Sequence, residues 1–195
     1  MTNLGTKITI GVLTAGTLSG AGYGIHALTD TTDTLRNYLS NSGLNITGDG
    51  EASEWTKVLA TYKLEVTKEL KIQEKVTTSN DIKNWCSSNL TKLIKSKSDV
   101  LYKRASKWCI KYKTIEEELT IDKFEKEVSK LQTKHDSLST EMKEIIKGVT
   151  LSPAKTQNEN GEKIKQWCTE NSKRSYSDEN KSYIDNIKSA CLTEG

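Results

Sequence analysis

"IKNWCSSNLTKLIKSKSDVLYKRASKWC" (82–109) holds two cysteines 23 positions apart, and "IKQWCTENSKRSYSDENKSYIDNIKSAC" (164–191) holds two more at the same interval. The stretches align without gaps at an offset of 82. Ile82, Lys83, Trp85, Cys86, Asn89 and Cys109 meet Ile164, Lys165, Trp167, Cys168, Asn171 and Cys191, while Trp108 meets Ala190. A duplicated unit and a repeated local solution both fit this match. In the first stretch Ile82, Trp85, Cys86, Leu90, Leu93 and Ile94 follow the spacing of a buried helical stripe, as do Val100, Leu101, Ala105, Trp108 and Cys109 after a polar centre. The centres, "KSKS" (95–98) and "DENK" (178–181), read as turns.

Each cysteine then lies about 11 residues, or roughly 16 Å of helix, from its turn. Residues equidistant from the turn of an antiparallel hairpin face each other. Four cysteines allow three pairings, and this geometry selects Cys86–Cys109 and Cys168–Cys191. The expected hairpins cover about 80–111 and 162–192. Closing either loop stabilises the fold by about 3 kcal/mol in the chain-entropy picture. Structural zinc sites bring cysteines in C-x₂₋₄-C pairs, and none occurs, so no metal or other cofactor is expected. Paired cysteines belong to an oxidising compartment.

The remaining composition agrees with a helical domain of thin core. The chain has 195 residues, of which 34% are apolar, with a single proline and a net charge of +3. Its 29 basic residues, all lysine apart from Arg36, Arg104 and Arg174, alternate with 26 acids. That is the pattern of a solvated helical surface, not of a one-sided nucleic-acid footprint.

Residues 1–28 differ from everything that follows. Lys7 is the only charged side chain before Asp30, and "ITIGVLTAGTLSGAGYGIHAL" (8–28) is 21 residues without formal charge. A membrane-spanning helix needs about 20 such residues. Gly16, Gly20 and Gly24 form a GxxxGxxxG ladder of the kind that lets helices pack closely in lipid. An uncleaved signal-anchor with Lys7 inside and a signal peptide cleaved near Ser19-Gly20-Ala21 both export the rest. The first reading gives a single-pass membrane protein with its C-terminal domain outside, the second a secreted one.

Residues 29–53 read as a linker with a short helical turn around Leu35–Leu39. Trp55, Val58, Leu59, Tyr62, Val66 and Leu70 predict a helix over 54–76, with N-cap residue types at Ser79 and Asn80 opening the next. Phe124, Val128, Leu131, His135, Leu138, Met142 and Ile145 step by four and three, which predicts one long helix over 115–147 ended by Gly148. His135 and the four tryptophans read as core. The only histidines, His26 and His135, sit in the anchor and the seam, so no histidine-based nucleophilic site is expected. No phosphate-binding glycine loop is present either. The reading is that of a non-enzyme.

The charge-poor glycine-rich start, "EW…TYK" (54–63), the "WC" pairs at 85–86, 108–109 and 167–168, and "LYKRASKWC" (101–109) resemble the paralogous surface-protein families of haemotropic mycoplasmas. That resemblance implies many divergent copies, each on an N-terminal anchor, with roles in surface variation or host contact. It implies no activity or ligand. The expected protein is all-α: an N-terminal membrane helix, then a helical ectodomain over 54–195 with two stapled hairpins and one long central helix. Its expected partners are the membrane and a host surface or serum protein. The alternative is a structural membrane component that self-associates through the glycine ladder or the heptad seam.

Overall fold

The computed structural model describes residues 32–193. The anchor segment 8–28, with Gly16, Gly20 and Gly24, lies outside them. Among the described residues no helix is long and apolar enough to cross a membrane.

The described chain is mostly helical, and it is built twice over. In the first half, β1 (Asp33–Thr34) leads into α1 (Leu35–Asn41), α2 (Ala52–Glu65), α3 (Ser79–Asn89), β2 (Leu93–Ile94) and α4 (Val100–Trp108). In the second, α5 (Ile115–Leu119) leads through a 3₁₀ turn to α6 (Val128–His135), α7 (Thr140–Lys147), α8 (Glu159–Asn171) and α9 (Lys181–Cys191). β1 and β2 pair antiparallel, with Asp33 opposite Ile94 and Thr34 opposite Leu93.

The repeat is visible in the main-chain bonds. Leu35 N donates to Lys92 O and Arg36 N to Leu90 O, while Ile115 N donates to Arg174 O and Glu116 N to Ser172 O. Around the disulfides, Thr47 N donates to Cys109 O and Lys111 N to Asn45 O. The second half answers with Glu125 N to Cys191 O and Thr193 N to Lys123 O. Thr34 and Thr114 cap α1 and α5 through their hydroxyls. Asn89 and Asn171 each turn their amide back to the carbonyl of the tryptophan four residues earlier, Trp85 and Trp167. The correspondence therefore extends beyond the hairpins, at offsets of 80 around α1 and α5 and 78 at Asn45 and Lys123 against 82 inside the hairpins, and a duplication with small length changes accounts for it better than local convergence.

Each half buries its own core, because each supplies apolar stripes that its neighbour does not cover. Leu35, Leu39, Trp55, Val58, Ile82 and Trp108 centre the first. Ile115, Leu131, Met142, Ile146, Ile164 and Ile187 centre the second. The disulfides Cys86–Cys109 and Cys168–Cys191 cross these cores with Cα separations of 5.6 and 5.8 Å. The pairing expected from the spacing is the one formed, and among the described residues no cysteine is free.

Several expectations fail. The long helix over 115–147 is three short α-helices and a 3₁₀ turn. Thr120 at φ +64° ends α5, and Ser139 opens α7 by accepting a bond from Met142 N. The seam residues still turn inward, apart from Ile145, which yields the buried position to Ile146. The seam is divided among separate short helices, and Leu131, Leu138 and Met142 from it lie in the second core. The helix expected over 54–76 stops at Glu65, and residues 66–78 run irregularly over the first core with Ile72 buried. The part of the expected linker from residue 32 onward belongs to the fold, since Leu35 and Leu39 are fully buried. The cap of α3 is Thr78, reciprocally bonded with Asp81, rather than Ser79 or Asn80. Leu93 and Val100 are exposed rather than part of the stripe. Trp55, Trp108 and Trp167 are core as expected, with Trp85 half-buried.

α8 crosses α6 at a glycine. A Cβ at Gly161 would lie 2.3 Å from Val128 O and 2.8 Å from Gln132 N, both main-chain atoms that cannot swing aside. Gly161→Ala is therefore expected to force the two helices apart and cost about 3 kcal/mol, the upper part of the range for overpacking. Urea unfolding of the variant checks this; an unchanged midpoint would mean that α8 slides without loss.

Candidate functional site

The richest cluster of polar groups joins the two halves. Glu65 closes α2, and its side chain is only 6% exposed. Its carboxylate accepts bonds from Ser175 N at 2.7 Å, Ser175 Oγ at 3.0 Å and Asn180 Nδ2 at 2.8 Å. Lys107 Nζ from α4 completes the set at 2.8 Å. The same ammonium reaches Glu179 at 2.8 Å and Ser175 Oγ at 3.2 Å, and lies 5.9 Å from the Trp108 ring centroid. Around this centre Thr61 Oγ1 donates to Lys173 O, and Arg174 donates to Leu64 O with its guanidinium stacked 3.7 Å over Tyr183. Two turns earlier on the same stripe of α2, Lys57 bridges Glu54 and Glu117.

The electrostatics make this centre a clamp and not a nucleophile. Burial alone would lower the Lys107 pKa. Hydrogen bonds to Glu179 and Glu65 outweigh it and hold the pKa above the ordinary 10.5. A lysine held as a cation cannot take the Ser175 proton, so the serine–lysine contact lacks the base that acyl transfer needs. Both Glu65 carboxylate oxygens, Ser175 N and Oγ, Asn180 Nδ2 and Lys107 Nζ are all engaged within the chain. Glu65→Ala leaves Lys107, Ser175 N–H and Asn180 facing an empty place. It is expected to cost about 3 kcal/mol, at the low end for a broken buried pair because Glu179 still faces Lys107. Because each half has its own core, the loss should also split the single urea transition into two. Fluorescence and circular dichroism followed together would show this; one shared transition in the variant would mean that apolar contacts couple the halves.

Beside the clamp lies an open groove of about 870 Å³. Leu44, Leu70 and Tyr102 form its floor, and Lys97, Lys103 and Glu69 stand at its edge. Tyr102 Oη donates to Ser42 Oγ at 2.9 Å. Among the described residues, the buried hydroxyls of Thr47 and Tyr112 lack a close partner, and neither lines this groove. The groove thus offers no orphaned polar group that a ligand would satisfy.

Of the residues singled out in the sequence, the four cysteines come together in pairs and the glycine ladder lies outside the described residues. His135 stands half-buried in the second core with Asp136 Oδ1 at 3.7 Å from its Nδ1. No group of metal-ligating side chains assembles among the described residues. The sequence reading missed Glu65, Lys107, Ser175 and Asn180 altogether. Ser175 and Asn180 lie 110 and 115 residues from Glu65, and only the doubled fold brings the four together. No protein-family model, curated protein or solved structure matches the chain.

Proposed function

We propose that the chain is an exported interaction protein, held at the cell surface by residues 8–28 with its doubled helical domain outside. The observation that supports this best is the state of the cysteines: both pairs are closed, one in each core, and none is left free among the described residues. Such pairs persist in oxidising surroundings. The lysine-rich exposed surface, and a polar cluster fully spent on joining the halves, favour contact with a macromolecule over turnover of a small one. The partner proposed is a host membrane or serum protein, and the role host contact or antigenic variation, as the resemblance of the sequence to surface-protein families of haemotropic mycoplasmas implies.

Non-reducing peptide mapping of the protein in its native membranes tests this reading. It is expected to recover peptides linked 86–109 and 168–191, together with an intact 1–28 segment in the membrane fraction. Free thiols at these positions would place the domain in a reducing compartment and overturn the proposal. Recovery of linked peptides without residues 1–28 would change the anchored form to the secreted one.

A further inference from the structure

We propose that the β1–β2 ribbon and the loop after it dock on an anionic phospholipid surface. This rests on the anchored reading above. The uncharged stretch ends at Leu28, and the described fold begins at once: Asp33 and Thr34 are already paired with Ile94 and Leu93. The five steps from Leu28 to Asp33 span at most about 18 Å when fully extended. The headgroup layer occupies several ångströms beyond the hydrocarbon edge. Wherever 8–28 enters the bilayer, the ribbon is tethered beside the headgroups.

What the ribbon presents suits them. Leu93 is 66% exposed and Val100 47%. Residues 90–99 carry three lysines, Lys92, Lys95 and Lys97, against one carboxylate. That carboxylate, Asp99, is taken up in capping α4, and Asp33 is taken up by Thr34 N and the Asn37 amide. Neither Arg36 nor any of the three lysines enters an ion pair among the described residues. Tyr38 Oη holds the loop in place through Lys95 O at 2.8 Å. Lysines near an anionic leaflet are drawn to it, and an exposed leucine between them seats in the acyl boundary.

The second half shows what the same loop does when it serves the fold. There Ser175 stands for Leu93 and Glu179 for Lys97, and both are consumed in the Glu65 clamp. The first half's version is apolar and basic where its counterpart is polar and acidic, and among the described residues no element takes up Leu93 and Lys97 as Glu65 takes up Ser175.

The test uses the full chain, carrying Leu93→Cys, in vesicles of phosphatidylcholine with or without phosphatidylglycerol. The four native cysteines are bonded, so a thiol-reactive, environment-sensitive fluorophore labels position 93 alone. The expected result is a blue shift and quenching by spin-labelled lipid with phosphatidylglycerol present. Both should be lost in pure phosphatidylcholine and on Lys92, Lys95 and Lys97→Glu. If the protein floats with both vesicles while the probe stays in water, the docking proposal fails and the anchor stands. If the protein floats with neither, the anchored reading fails and takes this proposal with it. Equal shifts in both lipids would overturn the role given to the lysines.

Discussion

Replacing all four cysteines by alanine is expected to leave the domain unfolded at 37 °C. Each closed loop has a sequence separation of 23 residues. Loops of that length contribute about 3 kcal/mol apiece by restricting the unfolded chain. Two such contributions reach the whole stability of many domains, which is about 5–15 kcal/mol. The loss is not only entropic here, because all four sulfurs sit in the cores, with exposures from 0% at Cys109 to 5% at Cys168. Replacing one pair alone should weaken its own half first, since neither bond crosses from one half to the other. Thermal melts by circular dichroism of the two double variants and the fourfold variant check this. A fourfold variant melting within a few degrees of the parent would show that packing alone holds the fold.

Trp108→Ala should cost about 4 kcal/mol, within the range for deleting a large buried aromatic. The side chain is fully buried. Its ring meets Tyr62 edge-on with centroids 4.9 Å apart, and its Nε1 donates to Leu70 O at 2.9 Å. Truncation therefore opens a cavity beside the disulfide and takes from the irregular segment 66–78 one of its anchors, leaving it the Arg104 Nε bond to Glu69 O and the burial of Ile72. Hydrogen exchange should rise first across residues 68–76. Trp85, half-buried on α3, is the comparison, and its truncation is expected to cost about half as much. Equal costs at the two positions would mean that the Leu70 bond and full burial of Trp108 count for nothing. In the second half Ala190 occupies the matching place, also fully buried. That core is filled instead by Leu131, Leu138, Met142 and Ile146 from α6, α7 and the turn between them.

The parts of this fold that were legible in the sequence are those fixed by local spacing. Cys86–Cys109 and Cys168–Cys191 followed from one interval repeated, and Ile82 with Ile164 and Asn89 with Asn171 occupy matching buried places in α3 and α8. The long helix failed because a four-and-three step records which residues turn inward, not whether one helix carries them. "HDSLST" (135–140) held the contrary signal: a run of turn and cap residues at the middle of the seam. α2 is a different case. Nothing in "LEVTKELKIQEK" (64–75) breaks a helix; Glu65 ends it because Ser175, Asn180 and Lys107 compete for its carboxylate. Such tertiary pulls override propensity and leave no local trace. The basic, apolar loop at Leu93 read as the buried end of a stripe because its helix was assumed to run on, whereas α3 stops at Asn89.

The order of the cysteines along the chain has a consequence for biogenesis. A protein threading N-terminus first through a translocation pore exposes Cys86 and Cys109 while Cys168 and Cys191 are still to come. Domains fold as units in the order they are made, and the main-chain partners of the first half are complete by Lys111, which donates to Asn45 O. An oxidase that joins each new thiol to the one before it produces the native pairing at the first attempt. In the exported form proposed above, this order of pairing calls for no disulfide isomerase.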